Sequence, residues 1–313
     1  MQWLEWPFKR TRSRTASVWW GLLFVLALSL TLLFQSCGSG DPSSADPEAA
    51  PTVEQSDATS LDQEHSGDKP TPTPAAMAEP SVPVTGQAVT YATVDGQPMT
   101  GYLAQPEGTE TALPAIITIH EWWGLNENIE AMTRRLAGEG YTALAIDLYG
   151  GQVATEPTQA RELVRSVMDA PGSAQDNIAQ AAQFLQDEYS APKLGSIGWC
   201  FGGNWSLRTG LLLSDLDAMA IYYGQLILAP EALDGLDMPI IGFFGADDTS
   251  IPVEDVENFE STLTNLGKTA EINLYPDVGH AFANPSGQNY SAEAAEDAWQ
   301  KTTAFFAEYL QSS

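Results

Sequence analysis

Basic residues are scarce in this chain. Lysine and arginine together number 13 against 41 aspartates and glutamates, for a formal net charge of −28. Four of the thirteen (Lys9, Arg10, Arg12 and Arg14) fall in the first fourteen residues, and no arginine follows Arg208. So acidic a surface repels phosphate backbones and anionic headgroups, which excludes nucleic-acid binding and electrostatic docking on lipid. There are two cysteines, Cys37 and Cys200. One disulfide is the most they allow, and each has a better separate explanation. Of the three histidines, His65, His120 and His280, two follow residue 84, and His120 and His280 do not stand at zinc-ligand spacing, so no metal is expected. No glycine-rich phosphate loop is present, since "GWCFGG" lacks the lysine of a P-loop. No cofactor is implied, and no internal repeat is visible.

Only one long apolar run occurs, "VWWGLLFVLALSLTLLF" at 18–34. Its 17 residues are marginal for spanning a bilayer. "KRTRSR" precedes it and "QSCGSG" follows, the layout of an export signal. Ser36-Cys37-Gly38 resembles the bacterial lipoprotein signal, in which the cysteine is lipidated and becomes the new N-terminus. Phe34 and Gln35 are not the residues favoured before it, and an uncleaved membrane anchor is the alternative. Residues 1–37 are therefore expected to export the chain and hold it at a membrane outside the cytoplasm, with Cys37 the lipidation site. Residues 38–84 contain no aromatic residue, eight prolines, nine acids and one base, Lys69. Such a composition cannot bury enough apolar surface to order itself. It predicts a disordered, self-repelling spacer in which His65 is inert.

From residue 85 to 313, apolar runs alternate with turn residues. "AVTYATV" and "MTGYLAQ" flank "DGQP", a hairpin signal. "PAIITIH", "YTALAIDLYG", "KLGSIGW", "LDAMAIYYG", "MPIIGFFG" and "AEINLYP" read as strands, several with no polar interruption, as in strands buried on both faces. Residues 128–140, 158–188 (interrupted near "APGS"), the stretch after Cys200, 253–267 and 291–310 read as helices. Strand–helix alternation predicts an α/β fold with a mostly parallel central sheet and helices on both faces.

Cys200 lies between glycines directly after an apolar strand, in Gly198-Trp199-Cys200-Phe201-Gly202. G-x-S-x-G marks the nucleophile elbow of α/β-hydrolases, and here cysteine takes the serine position. The turn sets the sulfur at a helix N-terminus, where the dipole favours a thiolate. In that fold the nucleophile, the acid and the histidine follow one another along the chain. His280 in "DVGHAFAN" is the one histidine after Cys200, and "GADDTSIP" between them offers Asp247 or Asp248. The spacing to Ile251-Pro252 favours Asp248. The predicted roles are Cys200 as nucleophile, His280 as base and Asp248 as its orienting acid. The N–H groups of Phe201 and Trp122 form the oxyanion hole. His120, at the end of a buried strand, is expected to prop the following loop rather than act as base.

"HEWWGLN", "IDLYGG", "GWCFGG", "YYG", "GADDTSIP" and "GHAFAN" stand in the order and approximate spacing of the dienelactone hydrolase family. The resemblance covers residues 88–310, essentially all of the folded part. It implies an α/β-hydrolase fold, a Cys-His-Asp triad at Cys200, His280 and Asp248, and cofactor-free hydrolysis of small esters or lactones (the carboxymethylenebutenolidase type). It also implies that Glu121, at the start of the oxyanion loop, engages the resting thiol. Trp123, Trp199 and Phe282, with Trp122, would line an apolar pocket. One feature departs from the family. Its best-known members bind a substrate carboxylate with arginines at places that here read Gly150-Gly151 and Asn284. Residues 84–313 carry 8 bases and 31 acids, so a neutral ester or lactone is as good a substrate expectation as an anionic one. A non-catalytic ligand-binding protein on the same fold is the alternative.

Overall fold

The computed structural model describes residue 65, residues 68–73 and residues 77–312. The expected export signal with Cys37, and most of the acidic spacer, lie outside the described residues. Among those described, no helix is long and apolar enough to cross a membrane.

The hairpin forms as expected. Strands β1 (Val84–Val94) and β2 (Gln97–Pro106) are antiparallel, and Asp95 and Gly96 turn between them with φ of 51° and 76°. Asp-Gly suits this turn because both positions need positive φ. Strand β3 (Ala115–Ile119) leads to helix α1 (Glu127–Gly138), and β4 (Thr142–Ile146) leads to α2 (Pro157–Asp169) and α3 (Pro171–Tyr189). The break predicted near "APGS" is real, since Pro171 opens a new helix. Strand β5 (Leu194–Trp199) feeds α4 (Phe201–Leu212), and β6 (Ala218–Tyr222) is followed by a single turn, α5 (Pro230–Leu233). Strand β7 (Ile240–Gly245), α6 (Val253–Asn265), β8 (Ala270–Tyr275) and α7 (Ala292–Phe306) complete the chain, whose last turn (Ala307–Gln311) is π-helical.

The eight strands form one sheet in the order β1-β2-β4-β3-β5-β6-β7-β8. Every pair from β4 to β8 is parallel. β3, β4, β5, β6 and β7 are buried at every position. Successive side chains on a strand point to opposite faces, so unbroken burial requires cover on both. The carboxyl ends of β3, β5, β7 and β8 open onto the loops that carry Glu121, Cys200, Asp248 and His280. A parallel sheet gathers its chemistry at that edge.

The end of the acidic segment differs from the expected spacer. Asn126, which caps α1, donates to the Pro70 carbonyl at 3.2 Å. Thr73 donates its hydroxyl to the Pro285 carbonyl at 2.8 Å and its N–H to Ser286 Oγ at 3.2 Å. Asp68 Oδ1 accepts from Gln288 N at 3.1 Å, and Ser81 donates to the Gly138 carbonyl at 2.6 Å. Hydrogen bonds rather than apolar burial hold these residues, and average composition does not register such contacts.

Candidate active site

Cys200 connects β5 to α4 with φ 55° and ψ −117°, a conformation rare for a residue with a side chain. Its N–H donates to the Tyr222 carbonyl at 3.0 Å, tying the bend to the neighbouring strand. The flanking glycines make the bend possible. A Cβ on Gly198 would run into the Gly202 carbonyl, and one on Gly202 into the Ile119 and His120 carbonyls. Phe201 opens α4, so its N–H has no acceptor within its own helix.

Asp248 and His280 meet as the chain order predicted. His280 Nδ1 donates to Asp248 Oδ2 at 2.7 Å. The other carboxylate oxygen, Oδ1, accepts from Ser250 N, Ser250 Oγ and Ile251 N at 2.8, 2.6 and 3.1 Å. Asp247 is exposed and takes no part. With Nδ1 committed to Asp248, Nε2 of His280 is left for the sulfur, and among the described residues it has no hydrogen-bond partner. Cys200 Sγ and imidazole nitrogens of His280 and His65 all lie within 4.8 Å of one another.

His65, expected to be inert, is thus part of the site. Its Nε2 lies 3.5 Å from Cys200 Sγ, and its Nδ1 bonds Asp68 Oδ2 at 2.7 Å. Its ring stacks on Trp122 at 4.3 Å and meets His280 edge-on at 5.0 Å. It is 1 % exposed, and beneath it Cys200 is 6 % exposed. The signal available in the sequence was faint: one of three histidines, with an aspartate three residues on, in a stretch that gave no other reason for either.

Burial drives the Cys200 thiol up, but His280 and His65 outweigh it and bring the group down to about 6. Burial would lower His65, yet the thiolate and Asp68 raise it to about 9. His280 is held well above its ordinary value against burial, by Cys200 and Asp248. These shifts favour a thiolate beside the two imidazoles, each of which hydrogen-bonds a carboxylate at 2.7 Å.

Glu121 is 6 % exposed. Burial, and then the nearby thiolate, raise its carboxyl to about 8, so near neutrality it is mostly protonated. Oε2 accepts from Asn284 Nδ2 at 2.8 Å. A Glu121–thiol hydrogen bond, which the family resemblance implied, is not among the hydrogen bonds of the described residues, and His65 holds the sulfur instead. Asn284, at one of the family's arginine positions, serves Glu121. His120 Nδ1 donates to the Glu121 carbonyl at 2.6 Å, while Nε2 accepts from Leu148 N at 3.2 Å. Burial keeps this ring neutral, which allows one donor and one acceptor, and it props the loop as expected.

The expected pocket residues separate into two groups. Trp122 borders the sulfur through His65, and Trp123 backs it at 4.7 Å. Phe282 stands one layer back, packed on Tyr223 at 5.4 Å. Trp199 does not line the site. It packs on Tyr222 and borders a surface cleft with Tyr290 and Trp299. Tyr223, the second tyrosine of "YYG", supplies a wall not foreseen, edge-on to His280 at 5.3 Å.

A parallel sheet flanked by helices, with cysteine, aspartate and histidine at its carboxyl edge, defines an α/β-hydrolase-type fold. Residues 99–310 match the Dienelactone hydrolase family. An Escherichia coli K12 protein provisionally named carboxymethylenebutenolidase is 34 % identical over 229 residues, covering 68 % of this chain and 84 % of its own. A Synechocystis protein of the same provisional name is 34 % identical over 224 residues, covering 66 % and 90 %. A Klebsiella pneumoniae crystal structure, provisionally named a dienelactone hydrolase, superposes with a TM-score of 0.66 at 28 % identity, covering 72 % of this chain and all of its own. The chain belongs to the dienelactone hydrolase family, and with it to the hydrolases of ester and lactone bonds.

Proposed function

We propose that the chain hydrolyses small esters or lactones through a Cys200–His280–Asp248 triad. The observation that carries this reading is the imidazole of His280, oriented by Asp248 at 2.7 Å and standing beside Cys200 Sγ at the bend between β5 and α4. The Cys200 thiolate attacks the carbonyl carbon, forming the C–S bond and moving the π electrons onto oxygen. The N–H groups of Phe201 and Trp122 stabilise that oxyanion, each donor contributing about 3 kcal/mol. As the C–O bond breaks, His280 gives its Nε2 proton to the departing alkoxide. Water then attacks the thioester carbon as His280 takes one of its protons, the C–S bond breaks to give back the thiolate, and the acid product leaves, losing its remaining proton to solvent. Asp248 keeps the proton of His280 Nδ1 in place throughout.

The thiolate is the active form, so activity is lost as acid protonates sulfur. With metal chelated, kcat/KM for a small activated ester is expected to fall through an acid limb near pH 6. A limb above pH 8, the ordinary thiol range, would contradict the ion-pair reading.

We read the substrate as neutral, because the domain is strongly acidic and Asn284 is engaged with Glu121. A matched ester and lactone panel tests this. Neutral members are expected to exceed anionic ones at least about tenfold in kcat/KM, which corresponds to about 1.4 kcal/mol. Preference for anionic lactones would reverse the assignment. Residues 1–37, with Cys37 lipidated or 18–34 retained as an anchor, support a location outside the cytoplasm at a membrane. Metabolic labelling with a fatty acid, lost in Cys37→Ser, tests the lipid form.

A further inference from the structure

We infer that His65, Cys200 and His280 form a binding site for a divalent cation that favours thiolate and imidazole, zinc foremost, and that its occupancy reversibly silences the nucleophile. The silencing rests on the proposed role of Cys200, whereas the site itself rests on ligand placement alone.

Three donors of the right chemistry converge on one buried point, all within 4.8 Å of each other. Zinc takes sulfur at about 2.3 Å and imidazole nitrogen at about 2.0–2.1 Å, usually in a tetrahedron. Those lengths place neighbouring sulfur and nitrogen ligands roughly 3.6 Å apart. His65 Nε2 and Cys200 Sγ are 3.5 Å apart already. Drawing His280 in requires a movement on the order of an ångström.

The surroundings match those of metal-ligating histidines, whose second nitrogen commonly donates to a carboxylate that fixes tautomer and ring direction. Here both imidazoles do so, His65 to Asp68 and His280 to Asp248, each at 2.7 Å. A hydrolytic triad needs one such pair, and the second, contributed from outside the sheet, has no step to perform in acyl transfer. Trp122 roofs the ring of His65 and limits access of water. Three protein ligands leave the fourth position for water.

On binding, the sulfur keeps its thiolate charge and each imidazole releases the proton from the nitrogen that takes the metal. No electrons are transferred. The sulfur lone pair that would attack a carbonyl is then committed to the metal, so hydrolysis stops until a chelator removes it.

The test uses the full-length protein, stripped of metal and titrated with zinc against a chromogenic chelator, without substrate. One zinc is expected to bind at micromolar concentration or tighter. His65→Ala and Cys200→Ala should each weaken it at least about 100-fold, and Asp68→Asn about 10-fold. His65→Gln keeps side-chain bulk without the imidazole and should match His65→Ala, which guards against a folding artefact, with thermal melts of each variant alongside. Cobalt should give a thiolate-to-metal charge-transfer band that Cys200→Ala abolishes. Zinc should halve ester hydrolysis at the concentration that half-fills the site. Absence of micromolar binding, or equal affinity in the wild-type protein and His65→Ala, would overturn the site. Full hydrolysis by the zinc-saturated protein would leave the site standing and remove Cys200 as nucleophile.

Discussion

Cys200→Ala is expected to reduce hydrolysis of a small activated ester by at least about 10³-fold in kcat, equivalent to about 4 kcal/mol of lost transition-state stabilisation. In the proposed mechanism this residue makes the bond to the acyl carbon, and the nearby hydroxyl of Ser250 lies at the Nδ1 side of His280, donating to Asp248 Oδ1 at 2.6 Å. Any residual rate reflects the oxyanion donors and binding alone. The substitution is mild for the fold, because alanine meets the same φ of 55° with fewer atoms. Burst kinetics would show the chemistry directly, with a thioester accumulating in the wild-type protein and absent from the variant. An alanine variant with more than a tenth of wild-type activity would refute the thiol mechanism.

Gly202→Ala is expected to produce a large loss of stability. Its Cβ would be driven into backbone carbonyls at the end of β3, which cannot swing aside as a side chain does. Overpacking against fixed backbone costs about 3 kcal/mol or more. For a domain of this size that lowers Tm by roughly 6–12 °C. The collision also pushes the β3 loop, so Trp122 and Glu121 move and activity falls with stability. Gly172→Ala is the contrasting case. It lies in the first turn of α3, and a Cβ there would meet nothing within 4 Å, so the change should leave Tm unchanged or slightly higher. Equal Tm values for the two variants would show that the elbow has slack the geometry denies.

Much of this was legible in the sequence, for identifiable reasons. Strands such as "AIITI" and "IIGFFG" announce themselves because burial on both faces leaves no room for polar residues. Cys200, Asp248 and His280 could be singled out because the fold imposes their order along the chain, and the spacing to Ile251-Pro252 pointed to Asp248, which the structure turns toward His280 while Asp247 is exposed. Trp199 was misplaced, since its neighbour's role says nothing about which way the preceding side chain turns. Asn284 was read as a missing arginine, while its contact to Glu121 depends on two loops that meet only in the folded chain. His65 was missed for the most general reason. Average composition decides whether a segment collapses on itself, not whether one imidazole within it finds a fitted slot between an indole face, a carboxylate and a sulfur.

The contacts of Asp68, Pro70 and Thr73 have a practical corollary for anyone handling this enzyme. Trimming the gene to start at Val84, where the strand pattern begins, yields a protein in which the Cys200 sulfur has lost its roof and one of its two imidazole neighbours. Rates, inhibitor profiles and thiol reactivity measured on that fragment would describe an unroofed relative rather than the native catalyst.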